Sequence, residues 1–159
     1  MKKLFLALFL GTFVLASCDK KVETKEAFNI DSVKNDIEAW NVTFEEIVKN
    51  KDSVGFANLF SEDAVRMAPN SPQVEGRANI LKSVIGPFKV IGSTNLTMID
   101  AWGNENYVTT CGTYEHFLPD GKSFEKGKYM GIFKIVDGKL IAIRDIWNAD
   151  GPAPALPIN

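Results

Sequence analysis

After Pro87 the apolar period of this chain changes, from about 3.6 residues before it to 2 after it. That switch limits the fold more than any other feature. Helical stripes come first and long alternating strands come last. The strands have no helices between them to make parallel crossovers. The chain is therefore expected to build an α+β domain: three N-terminal helices packed on an antiparallel meander, with one sheet face curved or covered to bury the helical stripe.

Val33, Ile37, Trp40, Phe44, Ile47 and Val48 share one face of a helix expected over about residues 32–50, with Asp31 or Ser32 as its cap. Lys34, Asn35, Glu38, Glu45 and Lys49 fill the other side. A second short helix starts near Asp52, with Phe56, Leu59 and Phe60 inward. Residues 64–68 form a brief extended segment ended by Pro69, followed by a turn-rich loop, APNSPQVEG. Gly76 leads into a third short helix over residues 77–84, with Ile80, Leu81 and Val84 inward. Strands are expected at residues 88–102, with a bend near Gly92 and Ser93, and at 106–117, 124–136 and 139–148. Residues 118–122 read as a hairpin loop, and Asp137-Gly138 as a two-residue hairpin turn.

The start of the chain has a different character. Lys2 and Lys3 precede an almost unbroken apolar run from Leu4 to Leu15, the layout of a secretory signal peptide. A bilayer span needs about 20 apolar residues, which this run does not reach. Leu15-Ala16-Ser17-Cys18 closes the run and resembles a bacterial lipoprotein lipobox. The resemblance implies cleavage after residue 17, a lipid on Cys18, and a domain held outside the cytoplasm in the bacterial cell envelope, at the periplasmic face or the cell surface. The plainer alternative is an ordinary signal peptide or short anchor, with Cys18 incidental. Residues 18–27 are short and polar and read as a tether. Residues 28–150 form the domain, and 151–159 a Pro-rich tail, GPAPALPIN.

Losing Lys2 and Lys3 moves the formal charge from −2 to −4, and no cluster of Lys and Arg with interleaved aromatics is present. Nucleic acid is not an expected partner. Only Cys18 and Cys111 occur. A lipidated Cys18 leaves Cys111 without a partner in the chain, and its apolar strand context reads as a small core residue rather than a thiol nucleophile. A single histidine argues against a histidine-rich metal site, and no cofactor is expected.

The helix around Trp40, the segment FANLFSEDAVRMAPN, then VEGRANI, then strands ending in DGKLIAIRDIWN resemble the NTF2-like superfamily, within it the SnoaL-like and DUF4440 type of small domain. The likeness covers about residues 31–148. It implies a cone, in which a strongly curved sheet wraps a long helix and leaves a pocket open at the wide end. The superfamily holds isomerases, cyclases, dehydratases and non-catalytic binding or dimerising domains, so fold alone does not choose a function.

Alternation then nominates pocket residues. In the last strand Ile141, Ile143, Asp145 and Trp147 share one face, and Leu140, Ala142, Arg144, Ile146 and Asn148 the other. Asp145 is a carboxylate between apolar neighbours, suited to acid–base work or to bonding a polar ligand, or else a partner for Arg144 or another cation. In the second strand Val108, Thr110, Gly112, Tyr114 and His116 share a face. His116 is a candidate base, with a solvent-facing histidine as the plainer reading. Tyr114 and Tyr129 are candidate donors to a carbonyl oxygen, or plain rim aromatics. Met67, Met98, Trp102, Tyr129, Met130 and Trp147 offer surface for a flat hydrophobic ligand, or are simply core. Arg66 and Arg77 are weighed against an anionic ligand and read as surface or rim charges.

One departure bears on chemistry. In ketosteroid isomerases the catalytic carboxylate sits just before a proline, and carrying that pattern over lands on Ala68, ahead of Pro69. Residues 42–44 also supply no oxyanion tyrosine. The expected object is thus a lipid-anchored domain whose pocket binds a small hydrophobic or amphipathic molecule, paired as a homodimer through its open sheet face. The alternatives are an isomerase- or cyclase-like enzyme, with Asp145 as acid or base and Tyr114 or Tyr129 polarising a carbonyl, and a protein-interaction or envelope-assembly module.

Overall fold

Asn29 starts the domain's long helix, because its side-chain oxygen accepts from the Asp31 and Ser32 amides at 2.9 and 3.3 Å. The cap thus lies just upstream of the two residues expected for it. In this computed structural model residues 28–152 are described. The expected signal peptide, Cys18 and its tether, and the tail from residue 153 onward lie outside the described residues.

Helix α1 (Ile30–Lys49) buries Val33, Ile37, Asn41 and Val48, with Trp40, Phe44 and Ile47 half-buried beside them. The expected stripe is in place, with one polar residue, Asn41, inside it. Helix α2 (Ser53–Asn58) is capped by Asp52, whose carboxylate accepts from Gly55 N at 2.8 Å. Strand β1 (Phe60–Met67) is longer than the extended segment expected there. Phe60, read as the end of a helix, is its first residue and is fully buried. Pairing with a distant strand overrides the local helical spacing at this point.

A short strand β2 (Val74–Glu75) folds back on β1, and Gly76, at φ 81°, turns the chain into α3 (Arg77–Val84). A fourth helix, α4 (Pro87–Val90), occupies the place where a strand was expected to begin. Proline suits the first turn of a helix, and Phe88 drives this one inward, its ring edge-on to Phe56 at 5.4 Å. The expected bend at Gly92 is thus a boundary, and β3 spans Ser93–Gly103. Strands β4 (Tyr107–Phe117), β5 (Ser123–Val136) and β6 (Lys139–Ala149) complete the meander. Asp137 and Gly138 both have positive φ, 50° and 73°, as the two-residue hairpin requires.

The six strands are ordered β2-β1-β6-β5-β4-β3. The meander is antiparallel, as expected, but β1 lies parallel to β6, with Arg66 opposite Asp145 and Met67 opposite Ile146. The final strand is therefore central. Register shifts at Met98/Asp100 and at Ile132/Phe133 insert one extra residue each, Ile99 in β3 and Ile143 in β6. Bulges of this kind bend a sheet, and here they curve it around α1 into the cone. Glu45 of α1 accepts from Leu96 N at 2.6 Å and ties helix to edge strand.

Two apolar clusters fill the concave side. One joins Phe56, Phe60, Ile80, Val84, Phe88 and Phe133. The other joins Val33, Ile37, Ala101 and Val108 toward the start of α1. On the convex side Met67, Ile146, Met130 and Cys111 stand side by side across four strands. Cys111 is thus half-buried on the outer face rather than in the core, because its neighbours Thr110 and Gly112 hold the inner one.

Candidate functional site

Between the helices and the inner faces of β1, β4, β5 and β6 lies a cavity of about 360 Å³. One wall is aromatic. Trp40 meets Phe133 edge-on at 5.0 Å and Phe44 at 5.4 Å, and Phe44, Phe56 and Phe60 continue the row at 5.1 and 5.4 Å. The opposite wall carries polar groups from three strands: Arg66, then Asp145, then Tyr114 and His116, with Trp147 and Tyr129 between them.

The Ile143 bulge decides which residues of β6 face in. Asp145 pairs with Gly131 and Trp147 with Tyr129, while Ala142 pairs with Phe133 and Leu140 with Ile135. Directly opposed residues share a face. Leu140 and Ala142 therefore stand with Asp145 and Trp147, not against them as strict alternation expects. Strand β4 has no such interruption between Val108 and His116, and there the expected inward set holds.

Asp145 is not isolated among apolar side chains. Its Oδ2 accepts from Arg66 Nε at 3.0 Å, and the two side chains are 21% and 13% exposed. The guanidinium carbon also lies 4.5 Å from the Trp147 ring centre and 4.9 Å from that of Phe56. Planar cations stack on aromatic faces in this way. Tyr114 donates to Glu125 Oε1 at 2.8 Å, and burial, then the Glu125 carboxylate, push its phenol well above the usual tyrosine range. The His116 ring packs 4.8 Å from that of Tyr114. Burial, then the positive field of Arg66, lower its pKa to about 4, so the ring is neutral at pH 7. Thr94 donates its hydroxyl proton to the Glu115 carbonyl at 3.3 Å, so it accepts from His116 Nδ1 at 2.8 Å. The proton then sits on Nδ1 and Nε2 carries the lone pair.

Two buried polar atoms on the cavity walls have no hydrogen-bond partner among the described residues: Trp40 Nε1 and Tyr129 Oη. Asn41 and Thr110 come close to the Tyr129 hydroxyl without meeting hydrogen-bond geometry, and Thr110 gives its own proton to the Asp100 carbonyl at 3.2 Å. Burial holds the Tyr129 phenol above its ordinary pKa. Gly112 lets that ring lie close over β4, since a Cβ there would stand 2.6 Å from Tyr129 Cε1.

Of the residues nominated from sequence, Asp145, Tyr114, His116, Tyr129 and Trp147 line the cavity. Met67, Trp102 and Met130 do not, because their register puts them on the convex face, where Trp102 and Met130 are 47% and 43% exposed. Met98 faces inward but packs into the second cluster, beside Val33 and Ile37. Arg77 is engaged by Glu62 at 2.6 Å and by the Phe60 carbonyl at 2.8 Å, away from the cavity. Arg66 was read as a rim charge and is instead a wall residue. Its signal was present in β1, where it shares the inner face with buried Ala64, and Ala68 follows just beyond the strand. Ala68 itself lines the cavity, so the wall carries a methyl group where the isomerase pattern would set a carboxylate. Among the described residues no group of three or more His, Cys, Asp or Glu is placed to hold a metal ion.

Comparison with known proteins gives the same architecture. The SnoaL-like domain family matches residues 37–143. A protein of unknown function from Mycobacterium tuberculosis superposes with a TM-score of 0.68 at 16% identity, over 80% of this chain and 82% of that one. A ketosteroid isomerase-like protein from Erwinia carotovora atroseptica gives 0.63 at 14% identity, over 74% and 96%. An NTF2-like protein with a cystatin-like fold from Novosphingobium aromaticivorans gives 0.64 at 16%, over 77% and 87%. At these identities the likeness is one of fold. No curated protein sequence matches the chain.

Proposed function

This chain belongs to the family of SnoaL-like domains, built on the NTF2-like fold, and we propose that its cavity receives a small hydrophobic or amphipathic molecule. The observation that carries this reading is a cavity of about 360 Å³ with one aromatic and one polar wall, on which two buried atoms, Trp40 Nε1 and Tyr129 Oη, have no partner among the described residues. Leaving a buried donor unsatisfied costs about 1–3 kcal/mol. A bound molecule that reaches either group offsets that cost.

The domain acts, in this proposal, from a lipid on Cys18, on the extracytoplasmic side of a bacterial membrane. It pairs with a second copy through the convex face, where Met130 and Ile146 are exposed side by side. Native mass spectrometry of the protein taken from its own membrane reads all three parts. A small molecule of defined mass, a doubled protein mass and the added mass of a lipid at Cys18 support them. Protein that holds a different protein and no small molecule overturns the binding role in favour of an assembly module.

A second reading, proton transfer on a carbonyl substrate, is favoured by His116. Its neutral ring and free Nε2 lone pair suit a general base. Tyr129, with an uncommitted hydroxyl, is the better carbonyl donor, because the Tyr114 proton is engaged by Glu125. Deuterium exchange at the carbon beside a bound ketone, abolished in His116→Gln, tests it. Exchange that persists in that variant removes His116 from the role.

A further inference from the structure

Most of the polar groups left without a partner on the cavity walls are hydrogen-bond donors, with the His116 Nε2 lone pair and Asp145 Oδ1 as the acceptors. Trp40 Nε1 can only donate, and Tyr129 has a proton with nowhere to go. Arg66 extends the pattern. A guanidinium has about five N–H donors, and Arg66 uses Nε alone, on Asp145. Its terminal nitrogens make no hydrogen bond to the described residues. The rings of Phe56, Phe60 and Trp147 pack on it, with centres 4.9, 5.7 and 4.5 Å from the guanidinium carbon. They fix the group but accept nothing in its plane.

The charges on the walls point the same way. Asp145 is the sole carboxylate among the lining residues and already accepts from Arg66 through one oxygen, and Arg66 is the guanidinium on the inner face, since Arg144 stands opposite Ile132 and Val65 and shares their outer face. Arg144 sends one Nη to the Ile143 carbonyl at 2.6 Å. Glu125, which is not a lining residue, accepts from Tyr114. His116 brings no positive charge, being held neutral in part by the field of Arg66. A neutral ketone would meet Tyr129 and leave the guanidinium unmet, and a cationic amphiphile would be set against the positive charge of Arg66.

We infer that the molecule seated here is an apolar acid, its carboxylate bonded to the terminal nitrogens of Arg66 and its body against the Trp40–Phe44–Phe56 wall. The inference rests on the binding role proposed above and names the chemical class that role serves. Guanidinium and carboxylate match in geometry, and hydrogen bonds between charged groups are about twice as strong as neutral ones. Asp145 then orients the guanidinium from the Nε side and leaves its far edge for the ligand.

The test compares two probes of one shape, 2-naphthoate and 2-naphthamide, by calorimetry on the full-length chain in nanodiscs of zwitterionic lipid. The acid should bind at least about tenfold more tightly, the equivalent of one charge-assisted hydrogen bond. In the paired variant Arg66→Met with Asp145→Asn, which removes both charges together, that advantage should vanish while the amide binds as before. Retained amide binding certifies the fold of the variant. Arg66→Lys, which keeps the charge and loses the planar donors, should keep only part of the advantage. An amide that binds wild type as tightly as the acid overturns the inference and leaves the cavity a binding site for neutral molecules. Failure of both probes to bind overturns the binding role itself.

Discussion

Tyr129→Phe isolates a single atom of the cavity wall. The ring, its packing over Gly112 and its place beside Trp147 are unchanged, and only the unpartnered hydroxyl is lost. An ordinary buried tyrosine loses a hydrogen bond in this substitution and the protein is weakened. Here nothing is lost, and relief of an unmet buried group is worth about 1–3 kcal/mol. With a melting shift of about 4 °C per kcal/mol for a domain of this size, the ligand-stripped variant should melt about 4–12 °C higher than wild type. The alkaline limb adds an independent check. Burial raises the folded-state pKa of Tyr129, so above the ordinary tyrosine value, about pH 10, the unfolded chain ionises first and stability falls as pH rises. The variant should fall less steeply there, with Tyr114 supplying what remains. Urea denaturation of stripped protein at pH 7 and pH 10.5 reads both effects. A variant weakened by about 1 kcal/mol or more at pH 7 would show that Asn41 or a water bonds this hydroxyl in solution, and would refute the claim that the cavity holds an unmet donor.

Two further outcomes follow from the same walls. His116 titrates near 4 when folded against an ordinary 6.5, so between those values the unfolded chain binds more protons and stability falls as pH drops, by up to about 3 kcal/mol. Carboxylates held low, such as Asp100 beside Lys34, start to act only below their ordinary 3.8. His116→Gln should therefore flatten denaturation midpoints between pH 6.5 and 4.5, and an unchanged slope would place the imidazole in water. Gly112→Ala sets a methyl against Tyr129 Cε1 and the Thr97 carbonyl oxygen. It should lower stability by about 1–3 kcal/mol in thermal melts, and an unaltered melt would mean that both the ring and the β3 backbone give way.

The helices were legible because their apolar spacing is local. Val33, Ile37 and Val48 are buried where the 3.6 period puts them, and Asp137-Gly138 turns the chain where its own backbone preference demands. The inner face of β4 was legible for the same reason, since an uninterrupted strand keeps its period. Strand β6 was not. One inserted residue, Ile143, reverses the parity, and nothing in LIAIRDIW marks where pairing will slip. Arg66 was missed because its environment is made by Asp145, 79 residues away, through a parallel pairing that no short-range signal announces. Met67, Trp102 and Met130 were chosen for being apolar, yet strand parity decides which way an apolar side chain faces.

The central position of β6 ties the scaffold to its contents. Strands β1 and β5 meet only through it, so without those last residues the sheet is two unconnected pieces, the β2–β1 hairpin and the β5–β4–β3 ribbon. The same strand brings Asp145 and Trp147 to the cavity. A chain shortened from that end by a frameshift or a protease does not become an intact shell with an empty cavity. It loses architecture and recognition in one step, and it exposes two raw sheet edges of the kind that drive aggregation. Occupancy of the kind proposed above would in that sense certify that the whole domain was made.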